Sequence, residues 1–249
     1  MRLQAILKAA IATSAVLLLA ACGTTSDRQN QPPPPPPADN VSAQGKLSLD
    51  RNFYFVFDGS GSMNDHPAIR DVGAKDVPKI DGAKWAVREF LKKVPDDVNL
   101  GLYVFDANQA AEVLPLGSNN RDQFLAKLDA VQAGGSTPLG AAIKKGADAL
   151  YTQYRKQLGY GDYRLIVITD GEATDDLDFG VIEAERHKMP IYTIGFDMGT
   201  QHTLRAHSVG YRSAQNATEV EKGLEEAGAE LDVYDATVFQ DANAAAAKR

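Results

Sequence analysis

Cysteine is almost absent from the 249-residue chain: Cys22 is the only one. A folded part built without it has no disulfide or thiol chemistry to draw on. Histidine is scarce as well. His66, His187, His202 and His207 show no metal-ligand spacing, which argues against zinc, although His66 is expected near the site described below. No uninterrupted apolar run approaches the ~20 residues that a membrane-spanning helix needs. Positive charge is in deficit, since 26 Lys and Arg against 33 Asp and Glu leave a net charge of −7. Phosphates repel such a surface, so nucleic acid is excluded as the expected partner.

What is present begins at the amino terminus. Arg2 and Lys8 precede an apolar stretch, Ile11–Ala20, and small residues follow, the order of a secretory signal over residues 1–21. Leu19-Ala20-Ala21-Cys22 resembles the bacterial lipobox. That resemblance implies a lipid on Cys22, which becomes the mature first residue, and membrane attachment through it. Gly23 at the next position implies, by the same resemblance, the outer membrane of a Gram-negative envelope, facing the periplasm or the surface. The plainer alternative is an ordinary signal peptide with an incidental cysteine.

Removing residues 1–21 removes Arg2 and Lys8, so 24 basic minus 33 acidic residues gives −9. Attachment is therefore expected from lipid and not from a basic patch. Residues 22–46 are rich in Thr, Ser, Gln, Asn and Pro, with six consecutive prolines at 32–37. Such a segment buries too little apolar surface to offset its ordering entropy. The prolines form a stiff rod of roughly 19 Å at ~3.1 Å per residue, and the whole tether reaches about 75 Å at most. A spacer is the expected use, a docking ligand the alternative. Residues 47–235 are then one α/β domain, and 236–249 a frayed tail.

The chemistry is concentrated in three places. Phe53-Tyr54-Phe55-Val56-Phe57 is a wholly apolar run that ends in Asp58-Gly59-Ser60-Gly61-Ser62. A buried strand thus delivers one carboxylate and two hydroxyls into a glycine-loosened turn. Gly134-Gly135-Ser136-Thr137-Pro138 offers another hydroxyl before a helix that Pro138 is suited to start. Arg164–Thr169 is a second apolar strand, ending in Asp170-Gly171-Glu172. All these side chains present hard oxygen donors, which suit magnesium or manganese. In an open parallel sheet the carboxyl ends of neighbouring strands meet where ligands bind. An alternative for Ser60 and Ser62 is that they merely cap the segment that follows.

Together the three segments resemble the von Willebrand factor A family, whose metal-ion-dependent adhesion site reads Asp-x-Ser-x-Ser, then Thr, then Asp. The match falls on Asp58, Ser60, Ser62, Thr137 and Asp170. The resemblance implies a Mg2+ or Mn2+ ion contacted by Ser60, Ser62 and Thr137, with Asp58 and Asp170 acting directly or through water. It also implies a protein partner that completes the coordination with an Asp or Glu carboxylate, and a metal that serves adhesion and not catalysis.

The pattern of apolar residues predicts alternating strands and helices: strands at 53–58, 98–105, 112–116, 164–169, 191–196 and 211–213, helices at 80–94, 121–131, 139–158, 179–188, 203–209 and 219–231. This rhythm implies a doubly wound, mostly parallel, Rossmann-like α/β sheet with helices on both faces. By family analogy 112–116 is an antiparallel edge. Trp85 is expected in the core or at its rim. Residues 64–79 make a longer connection than is common in the family, either a specificity loop or a surface insertion. Glu172, Asp175 and Asp176 read as solvated acidic decoration, the alternatives being a rim of the site or ligands of a second cation, and Asp106 reads as an outer ligand or as another such acid.

Two other functions compete with the adhesion module. A haloacid-dehalogenase-type phosphohydrolase also places a nucleophilic Asp at a strand end, but it needs a second Asp two residues on, where this chain has Ser60, and no lysine is convincingly placed in the sequence. A scaffold of an envelope complex would use the metal only to stabilise the fold.

Overall fold

The structure is a computed structural model, and it describes residues 45–69, 76–199 and 201–229. The expected signal peptide, Cys22, nearly all of the tether and the carboxyl-terminal tail lie outside the described residues.

Six strands form one sheet: β1 (Arg51–Asp58), β2 (Asn99–Phe105), β3 (Ala110–Gly117), β4 (Asp162–Thr169), β5 (Ile191–Phe196) and β6 (Gly210–Ala214). Their order is β3-β2-β1-β4-β5-β6. Every pairing is parallel except that of β2 with β3, which is antiparallel at the edge as expected. Among the described residues five helices accompany them: α1 (Lys79–Lys93), α2 (Arg121–Asp129), α3 (Leu139–Lys156), α4 (Leu177–Arg186) and α5 (Ala217–Gly228), the last following β6. This is the expected doubly wound α/β fold.

Strand β1 runs down the middle because both of its faces are apolar. Phe53, Phe55 and Phe57 join a core layer with Ile80, Val87 and Phe90 of α1, Phe124 of α2 and Leu224 of α5. Tyr54 and Val56 point the other way, into a layer with Leu139 and Ile143 of α3 and Val181 of α4. Successive strand residues face opposite sides, so only a strand covered twice can be apolar at every position. Full burial of each such side chain contributes roughly 1.5–3 kcal/mol.

Four local expectations are corrected. Residues 203–209 are not a helix: a single 3-10 turn, Thr203–Ala206, occupies the segment. Helix α4 starts two residues early because Asp176 caps it, accepting from the Phe179 N–H. Helix α5 starts early for the same reason, with Asn216 accepting from Glu219 N–H at 2.9 Å. Trp85 is 41% exposed and not in the core. At 100° per residue it lies across the helix from the buried stripe of Ile80, Ala83, Val87 and Leu91.

Candidate functional site

The strand order reverses between β1 and β4, the neighbours at the centre of the sheet. Asp58 ends β1, Thr169 ends β4, and Asp170 follows it. Switch-point topology therefore sets two of the expected oxygen-bearing turns side by side. The third arrives with Thr137, just before α3.

The geometry follows from short contacts. Ser60 Oγ lies 3.2 Å from Ser62 Oγ, and Ser62 Oγ donates to Asp170 Oδ1 at 2.7 Å. A methyl group placed on Gly171 would lie 3.8 Å from Thr137 Oγ1 and 4.0 Å from Ser62 Oγ, so the Thr137 hydroxyl looks onto the same spot. Thr137 is buried, and its own backbone is fixed to Thr174: its N–H donates to Thr174 Oγ1 at 3.1 Å, and its carbonyl accepts from Thr174 N–H at 2.9 Å. The Gly135 carbonyl accepts from Gly61 N–H at 3.2 Å, and Gly135 has φ +81°, a conformation glycine adopts freely. All five expected residues are thus brought together.

Asp58 is fully buried. Its Oδ1 accepts from Ser60 N–H at 2.7 Å and its Oδ2 from Thr169 Oγ1 at 2.6 Å. Burial pushes its carboxyl up to about 6, against hydrogen bonds from Ser60 and Thr169 that favour the ionised form; the Asp170 charge adds to the rise. Thr169, unremarked in the sequence, is therefore what orients Asp58.

Lys79 is a second residue that sequence reasoning missed. Its Nζ lies 2.6 Å from Asp170 Oδ2, with that carboxylate side chain fully buried. Oδ2 receives no hydrogen bond of good geometry among the described residues, so the contact is chiefly Coulombic. A lysine is thus placed at this site after all. His202, not His66, is the histidine beside it. Its Nδ1 accepts from Leu204 N–H at 3.0 Å, which leaves the proton on Nε2 to donate to the Gly171 carbonyl at 2.9 Å. His66 is exposed and pairs with Asp76 at 2.6 Å.

The other acidic candidates have structural work. Asp106 accepts from Asn108, Gln109 and Gln132 N–H, so backbone occupies both oxygens. Asp175 grips the first turn of α3 through Gly140 and Ala141 N–H, each at 2.8 Å. Glu172 accepts from Thr203 N–H at 3.1 Å. Away from this edge, Asp148, Glu183 and His187 bring their ligand atoms within 4.8 Å of one another. The expectation of no metal spacing overlooked that Glu183 and His187 lie one turn apart, in the last turn of α4 and at its carboxyl-terminal cap. Lys144 and Arg186 already pair with those carboxylates, so this is a charge-compensated surface network.

The donor set at the sheet edge fits a hard divalent cation on its chemistry: three hydroxyls and two carboxylates, with the Thr137 hydroxyl making no hydrogen bond among the described residues. The Lys79 ammonium is a cation already seated against one of them.

A scan against protein families matches residues 52–231 to the von Willebrand factor type A domain. No curated protein matches the chain. Among solved structures, the pilus adhesin SpaC from Lactobacillus rhamnosus GG superposes with TM-score 0.55 at 16% identity, covering 73% of this chain and 31% of that one. Manganese-loaded TRAP protein from Plasmodium vivax gives 0.53 at 17%, covering 72% and 73%. The PilB minor pilin from Streptococcus sanguinis gives 0.54 at 14%, covering 76% and 62%. At these identities the likeness is one of fold. The chain spans about a third of the SpaC chain and under two thirds of the PilB chain.

Proposed function

Since the chain belongs to the von Willebrand factor type A domain family, we propose that it is a lipid-anchored envelope protein that grips a protein partner through a divalent cation. The observation that carries this reading is the meeting of Ser60, Ser62, Thr137 and Asp170 at the strand switch point, with Asp58 buried beneath. Ser60, Ser62 and Thr137 would hold Mg2+ or Mn2+ directly. Asp58 and Asp170 would act largely as orienting groups, since Asp58 already accepts from Ser60 and Thr169, and Asp170 from Ser62.

When bound, the ion supplies positive charge and an open coordination position for an Asp or Glu carboxylate of the partner. The chain's own residues fix the hydroxyls and exclude water from the aspartates. Pilus adhesins and TRAP among the structural relatives accord with a protein-binding role. A phosphohydrolase is disfavoured because Asp58 is fully buried with both oxygens engaged, and Ser60 stands where an acid-base Asp is needed. Lipid on Cys22 and a proline spacer would hold the domain near the outer membrane, facing the periplasm or the surface.

The test is crosslinking capture of partners from cell envelopes with magnesium, with EDTA, and with Asp58→Ala. Capture is expected with magnesium alone. Undiminished capture by a folded Asp58→Ala protein would rule the adhesion mechanism out. Capture in EDTA accompanied by lost thermal stability would point to a scaffold with a structural metal.

A further inference from the structure

We infer that Lys79 is a tethered competitor for the divalent cation: its ammonium holds Asp170 until the ion displaces it. This rests on the metal-site reading above and adds a regulation to it. Lys79 is the first residue of α1, directly after Pro78. A cation there opposes the helix macrodipole. Lysines are almost never buried without a partner, yet Lys79 is only 7% exposed. Neither helix formation nor core packing accounts for it. The 2.6 Å pairing with Asp170 does.

The position of the ammonium is set by the site itself. Lys79 N–H donates to the Asp65 carbonyl at 2.8 Å, and Asp65 N–H donates to the Ser62 carbonyl at 3.0 Å. The turn that presents the Ser62 hydroxyl therefore also anchors the start of α1.

Asp170 has no oxygen to spare. Oδ1 takes the Ser62 hydroxyl, Oδ2 faces Lys79, and the side chain is sealed from solvent. The ammonium pairs with Asp170, whose charge in turn acts on the neighbouring Asp58. A divalent ion among the same oxygens would place two cations against one buried carboxylate, where weak screening makes their repulsion large. The flexible lysine stem can swing away, whereas the turns that carry the ion's other donors are held by backbone hydrogen bonds. Ion uptake therefore costs the Lys79–Asp170 pair, and the chain tunes its own affinity downward.

Calorimetric titration of the full mature chain with MnCl2 and MgCl2 tests this. Lys79→Met and Lys79→Gln are expected to bind Mn2+ at least tenfold tighter than the unaltered protein, about 1.4 kcal/mol, and Lys79→Arg to show no such gain. Equal or weaker binding by the Met and Gln variants, with the unaltered chain still binding, overturns the competition while leaving the metal site standing. Uptake of neither ion by any of the four proteins removes the metal site and the competition together. A crystal structure of the unaltered protein soaked in Mn2+ supplies a check that needs no variant. The ammonium is expected beyond hydrogen-bonding distance of Asp170, and a contact unchanged at 2.6 Å with the ion bound would refute displacement.

Discussion

A carboxylate at the end of a fully buried strand has few ways to stay ionised. Asp58 draws on the Ser60 amide, the Thr169 hydroxyl and, at 3.4 Å, the Asp170 amide, yet burial still pushes its carboxyl up to about 6. With its folded value above the unfolded one, the metal-free native protein holds a proton that the unfolded chain releases between about pH 4 and pH 6. Stability without metal should therefore fall as pH rises through that window, by an amount on the order of 3 kcal/mol, and level off above it. Urea unfolding in EDTA across the window would show this slope, and Asp58→Asn should flatten it. A parallel slope in both proteins would mean that another group titrates. His202 illustrates the same scale differently: a ring buried under the Gly171 carbonyl fixes the turn that presents Asp170.

At the scale of elements, the site depends on how closely α3 and α4 approach. A Cβ on Gly140 would stand 2.0 Å from the Asp176 carbonyl oxygen, and one on Gly180 2.2 Å from the Gly140 carbonyl oxygen. Both contacts are with backbone, so no side chain can turn aside to relieve them. Gly140→Ala should destabilise the protein by roughly 1–3 kcal/mol, an overpacking cost. It should also weaken Mn2+ uptake, because Asp175 and the Thr137–Thr174 pair hold the Thr137 turn to the start of α4. Thermal unfolding together with a Mn2+ titration would check both effects.

For the whole molecule, the described domain and the amino-terminal segment are separate matters. If residues 32–37 act only as a spacer, deleting them should leave partner capture by purified protein unchanged and reduce function in cells. Loss in both assays would mean that the prolines themselves bind something. The net charge of −7 sets a general repulsion toward acidic partners, so a partner carboxylate would need the local positive field of an ion to dock.

The sequence alone determined the six strands and five of the six expected helices, and it marked the five oxygen-bearing residues that the fold brings together. Their signals are local: an apolar run stopped by Asp58 or by Thr169-Asp170, a proline before α3, a glycine-loosened turn. Caps were the marginal case, since Asp176 and Asn216 were visible yet compete with loop roles for the same residue types. Only the tertiary structure decided that Lys79 sits on Asp170, that His202 underlies Gly171, and that Asp148, Glu183 and His187 cluster. Lys79 and Asp170 meet because α1 begins beside the ends of β1 and β4, and His202 because the chain after β5 returns to the same edge. No periodicity records such neighbours, for they depend on strand order and not on what adjoins a residue in the chain.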